Sequence, residues 1–191
     1  MNEVNRLELR LDRQCFPGEN SIPILERSRV AVVGLGGGSQ IARQLSRLCV
    51  GEFVLIDLDV VEDTNLNCLV GATQQDVARG AAKASVSARV IVGVIPCARI
   101  WAEPTRWQAC ATALRSCDVV FGCVDSIAER TQLETASRRY LIPYMDIGMD
   151  VHKINEGVFI GGQVALSLHG GPCLRCMGIV TDTALELEAQ Q

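Results

Sequence analysis

One stretch constrains this chain more than any other: RVAVVGLGGGSQIARQLSRLCVGEFVLIDLD, residues 29–59. An apolar run enters a glycine cluster, and a segment follows with Ile41, Leu45 and Leu48 on one helical face and Arg43 and Arg47 on another. A second apolar run then ends on Asp57. A glycine turn between a strand and a helix lets the backbone approach a phosphate and aims free helix N–H groups at it. Gly34, Gly36, Gly37 and Gly38 are therefore candidate phosphate-binding positions. Asp57, at the end of the second strand, is a candidate acceptor for ribose hydroxyls. The pattern suits an adenosine carrying phosphates. Dehydrogenases, methyltransferases and adenylating enzymes all share it, and glycines can also serve only to pack a strand tightly against a helix.

Beyond this unit the pattern keeps alternating. Residues 60–75 are polar and read as a loop. Residues 76–92 read as a helix capped by Asp76 and weakly interrupted by Gly80. GVIPCARI reads as a third strand broken by Pro96, and the segment after Pro104 as a helix. DVVFGCVD is a buried strand ending on Asp125, followed by an amphipathic helix with Ser126 as its cap. PYMDIGMD is a further strand. EGVFIGGQVALSLHG alternates around a Gly-Gly turn and reads as antiparallel strands. Strands and helices alternate to about residue 147. The expected fold is α/β: a Rossmann-like, doubly wound, mostly parallel sheet with helices on both faces and an antiparallel extension near the C-terminus. The expected organisation is an arm over 1–28 and one nucleotide-binding domain over 29–191.

Composition narrows the partners. The 191 residues are 48% hydrophobic and 21% charged, with a net charge of −4, ordinary for a globular chain that does not bind nucleic acid. No apolar run is long enough to span a membrane. The first residues lack the apolar core of a signal peptide, so a cytoplasmic location is expected. Nine cysteines, irregularly spaced and mostly within apolar runs, suit buried thiols in a reducing compartment. Only Cys173 and Cys176 form a C-x-x-C pair.

Several later features do not suit a dehydrogenase. DLDVVEDTNLN carries Asp57, Asp59 and Asn65, GAAK places Lys83 at a helix start, and GCVDS places Asp125 at a strand end. PCLRC follows the antiparallel extension. In this order, from about residue 10 to the end, these motifs resemble the ThiF/MoeB/HesA family of ubiquitin-activating-enzyme-like adenylyltransferases. NLNCLVGAT and CLRCMGIVTD most resemble a bacterial branch encoded with ubiquitin-like and deubiquitinase-like modules. The resemblance implies ATP with magnesium as cofactors. It implies a small ubiquitin-like or sulfur-carrier protein ending in Gly-Gly as partner, its terminal carboxylate attacking the α-phosphate as pyrophosphate leaves. Such a carboxylate is already a nucleophile, so alignment and charge neutralisation are the main tasks. The resemblance implies that Lys83 holds phosphate oxygens, Asp125 magnesium and Asp57 the ribose, while Asp59 and Asn65 shape the phosphate end. RLDRQ resembles the family's N-terminal arginine motif, which points to Arg13 reaching a partner subunit's ATP in a homodimer. Blander roles exist for each: solvated Lys83 and Arg13, Asp125 as a helix cap, Asn65 as a turn residue.

The chain also departs from the family pattern. In GLGGGS, either one residue is missing before Gly38 or Ser39 stands where a third glycine would be. Cys68 replaces an arginine that would contact phosphate, and could be a small apolar filler. Cys173 and Cys176 make only half of the family's zinc site, to be left empty, shared between chains or completed by residues this chain lacks. The C-terminal part of the domain is expected to be missing, and with it any thioester-forming cysteine. Two alternatives stand beside adenylation. One is a catalytically degenerate partner subunit, favoured by Cys68 and the altered loop. The other is an NAD-dependent oxidoreductase, disfavoured because His152 and His169 lie outside the Rossmann-like core.

Overall fold

The computed structural model describes residues 18, 20–154 and 157–190. Six strands form one sheet: β1 (Arg29–Val33), β2 (Glu52–Ile56), β3 (Arg99–Glu103), β4 (Val119–Gly122), β5 (Tyr144–Ile154) and β6 (Gly157–Ser167). Their order is β3-β2-β1-β4-β5-β6. The first five run parallel and β6 pairs antiparallel with β5.

Successive strand residues face opposite sides of a sheet, and here both sides are covered. Val30, Val32, Phe53 and Leu55 point into one core, roofed by α2 (Gly38–Arg47) and α4 (Lys83–Val94). Ala31, Val33, Val54 and Ile56 point into the other, roofed by a 3₁₀ segment (Trp107–Ser116), α5 (Ile127–Arg139) and α6 (Asp182–Ala189). Burial on both faces is why the inner strands read as continuous apolar runs. Winding reverses between β1 and β4, so Gly34 and Cys123 flank the crevice where such sheets take ligands. The expected fold class holds. Within the expected arm, a short helix, α1 (Ser21–Arg27), packs on the domain: Gly51 N–H donates to the Leu25 carbonyl at 3.1 Å.

Five local expectations change. The Ala-rich segment is two helices, α3 (Gln74–Arg79) and α4, because Gly80 takes a left-handed conformation at φ +58 and ends the first. Thr73 caps α3, and Asp76 is its partner three residues on. Pro96 does not break a strand. It follows α4, which runs to Val94, and β3 starts only at Arg99. The segment after Pro104 is a 3₁₀ run kinked at Cys110, burying Trp107 and Leu114. Gly161 and Gly162 make no turn but lie inside β6, paired with Asp150 and Met149. Among the described residues no helix is long and apolar enough to cross a membrane.

Candidate nucleotide site

A cavity of about 580 Å³ opens at the carboxyl ends of β1, β2 and β4, a size suited to a small-molecule ligand. The glycines of its floor do different jobs. Gly34 turns the chain at φ +84, and a Cβ there would lie 2.5 Å from the Cys123 carbonyl oxygen. Gly36 and Gly37 face open space, where a phosphate can meet bare backbone. Gly38 packs α2 on the sheet, since a Cβ would meet Val32 and Cys123 at 3.0–3.3 Å. Ser39 takes a different role. Its hydroxyl donates to the Gly36 carbonyl at 2.8 Å and accepts from Val70 N–H at 3.0 Å, tying the glycine loop to the segment that carries Cys68.

Asp57 braces this loop. One carboxylate oxygen accepts from Leu35 N–H at 2.6 Å and the other from Asp59 N–H at 2.8 Å. Burial raises its pKa, and the two backbone donors and the Lys83 charge only partly oppose this. Lys83 is placed by backbone pairing: Val60 bridges Ala82, and Lys83 N–H donates to the Asp59 carbonyl at 3.0 Å. Its ammonium, in a residue only 9% exposed, reaches Asp59 Oδ2 at 2.8 Å. Burial pushes its pKa down, but the Asp59 bond and the Asp57 and Asp59 charges outweigh it, and the net shift is upward. Lys83 is therefore a held cation, not a solvated one.

Asp125 sits beyond β4 and lines the cavity. Ser126 caps α5, accepting from Glu129 N–H at 3.1 Å, so Asp125 is not spent as a cap. Asn65 lines the cavity too, and its side-chain oxygen also accepts from Glu62 N–H at 3.0 Å, closing a local turn. Cys68 is not a buried filler: it is exposed, lines the cavity and leans on the Asn65 carbonyl at 3.4 Å. Arg13 lies outside the described residues.

Arg106 and Glu129, which the sequence reading passed over, line the same cavity. Their signal was hidden, because Arg106 follows a strand whose true position lies several residues beyond the expected one. Asp125 and Met149 also line a second cavity, of about 390 Å³, with Arg130, Gly148, Gly162 and Gln163. Arg130 is fixed there by the fully buried Asp146 at 2.8 Å, which also accepts from Tyr144 and Gln163. Gly148 makes room, since a Cβ there would meet the Arg130 guanidinium at 2.4 Å.

Cys173 and Cys176 lie in a turn with sulfurs 3.4 Å apart. The N–H and thiol of Cys176 hold the Cys173 pKa below its ordinary value. Among the described residues no three His, Cys, Asp or Glu side chains gather to hold a metal. Two thiols do not satisfy structural zinc, which takes four ligands. The turn has its own anchor in Leu174, fully buried, whose N–H donates to Glu134 at 2.9 Å.

A glycine-floored crevice at the strand ends, with Asp57 just beyond β2 and Lys83 held on Asp59, places the chain in the doubly wound α/β class. Residues 11–189 match the ThiF family, and the chain belongs to it. It is 31% identical to the sulfur carrier protein adenylyltransferase of Thermus thermophilus over 163 residues, 80% of this chain and 56% of that protein. It is 32% identical to the SAMP-activating enzyme E1 of Haloferax volcanii over 155 residues, 78% of this chain and 53% of that one. The structure of Escherichia coli tRNA N6-threonylcarbamoyladenosine dehydratase in complex with AMP superposes with a TM-score of 0.67 at 28% identity, covering 78% of this chain and 62% of that one. The chain thus spans about half the length of the curated relatives named here.

Proposed function

We propose that this chain binds ATP with magnesium in the larger cavity and adenylates the C-terminal carboxylate of a small ubiquitin-like or sulfur-carrier protein, releasing pyrophosphate. The observation that carries this reading is the joining of two cavities at Asp125 and Met149. One has the glycine floor and Lys83, and the other is smaller and lined by Gly148, Gly162 and Arg130. A glycine-rich tail entering the second would bring its carboxylate to the α-phosphate in the first. Arg130 would attract that carboxylate. Gly36 and Gly37 would approach the phosphates, Lys83 would neutralise their oxygens, and Asp57 has lone pairs left for the ribose. Magnesium, when bound, would offset phosphate charge, and the oxygen donors of Asp125 and Asp59 suit that hard ion. The tail carboxylate is the nucleophile, so positioning is the chain's main contribution.

The proposal includes a cytoplasmic homodimer. Seven described cysteines, among them Cys68, Cys173 and Cys176, are free thiols, which fits a reducing compartment. The edge strand β6 exposes Val158, Phe159, Ile160 and Val164, a strip that a second copy would cover. Arg13 would then reach the partner's nucleotide. The test is ATP–pyrophosphate exchange with a carrier ending in Gly-Gly, against the same carrier lacking its last residue. Exchange only with the intact tail supports adenylation. ATP binding without exchange under either condition favours the second reading, a degenerate partner subunit, for which Cys68 in the cavity, where the family pattern has an arginine, speaks.

A further inference from the structure

We infer that Arg106 is a phosphate-binding residue of the nucleotide cavity, parked on Glu129 until a nucleotide arrives; this rests on the ATP reading above. The lining holds four carboxylates, Asp57, Asp59, Asp125 and Glu129, and two cations, Lys83 and Arg106. Lys83 is already committed to Asp59 at 2.8 Å. A polyphosphate entering so acidic a cavity needs a further cation, and Cys68, on the same lining, brings none. Arg106 is placed to be that cation. It lies just past the carboxyl end of β3, and the next residue, Trp107, is buried in the core, so the backbone is anchored while the side chain can swing.

Its present partner is weak. The guanidinium lies 3.7 Å from Glu129 and its side chain is 69% exposed, a geometry that stabilises little. Glu129 loses little when Arg106 leaves, because it sits in the first turn of α5, where the helix dipole favours a negative charge. Gln108 also approaches it at 3.5 Å. A planar guanidinium exchanging one carboxylate for phosphate oxygens gains bidentate, charge-assisted bonds.

The experiment is calorimetric titration of the full chain with ATP–magnesium and separately with adenosine, for wild type, R106Q, R106K, E129Q and C68R/R106Q. Circular dichroism checks that each variant is folded. R106Q should weaken ATP binding about tenfold and leave adenosine unchanged. R106K should recover part of the loss, and E129Q should bind ATP more tightly. C68R/R106Q should regain affinity by returning a cation to the lining. If wild type binds ATP and folded R106Q binds it equally well, Arg106 is not a phosphate ligand although the ATP reading stands. Equal losses for ATP and adenosine would make its role structural and also overturn the inference. If wild type binds no ATP, both fall together.

Discussion

The Lys83 ammonium lies 2.8 Å from the Asp59 carboxylate, and the Lys83 backbone N–H donates to the Asp59 carbonyl at 3.0 Å. The two residues are joined twice, so the helix start and the end of β2 move as one unit. K83M should cost about 1 kcal/mol of stability, because half-exposed Asp59 is resolvated, and should weaken ATP binding at least about tenfold. The Lys83 pKa is raised above its ordinary 10.5. Its contribution is therefore complete below that value and fades as pH rises through the raised one. Melting temperatures of wild type and K83M should differ by a constant amount from about pH 6 to about pH 9 and converge only as pH rises through the raised Lys83 value.

The glycine loop separates folding from binding. G34A puts a Cβ against the Cys123 carbonyl at a left-handed φ, and should destabilise by roughly 3 kcal/mol. G36A points into open space and should unfold at the wild-type urea midpoint, yet lose ATP affinity. Equal denaturation curves for G34A and wild type would sink this division of roles.

Asp76 marks a purely structural charge. Its carboxylate, in a buried residue, accepts from both Arg89 nitrogens at 2.7 Å and from Thr73 N–H and Oγ1 at 2.9 and 2.7 Å. The Arg89 and Thr73 bonds hold its pKa far below the ordinary 3.8. That stability is full above the ordinary value and is lost as pH falls below it. D76N should cost about 2 kcal/mol at neutral pH, and its deficit relative to wild type should shrink in acid. Nucleotide affinity should be unchanged, as Asp76 is not on the cavity wall.

The C-x-x-C pair gives an analytical prediction. Chain purified without chelator should carry no stoichiometric zinc by elemental analysis, and C173S/C176S should melt close to wild type, since Leu174 and Glu134 anchor the turn. One zinc per chain, lost together with stability on chelation, would refute it.

Much of the site was legible because its chemistry is local to strand ends. The apolar run into Gly34 and the carboxylate closing the next run place the glycine loop and Asp57 on one crevice without any tertiary knowledge. So do Lys83 at a helix start and Asp125 beyond β4. Ser39, Arg106, Arg130 and Glu129 were not legible. Ser39 matters only through Val70, far along the chain, and Arg130 only through Asp146 and the glycine of β5 beneath it. Arg106 was missed because Pro96 reads as a broken strand when it in fact marks the end of α4.

By itself, then, the sequence determined the doubly wound class and the β1–glycine–α2–β2 core, because apolar periodicity and glycine conformation act over a few residues. The tertiary structure alone decided that Gly38 packs while Ser39 ties, that Lys83 is buried on Asp59, and that two cavities meet at Asp125. It also decided that Gly161 and Gly162 lie within a strand. Those outcomes depend on which distant backbone comes within hydrogen-bonding reach, and pairing across the sheet sets that distance.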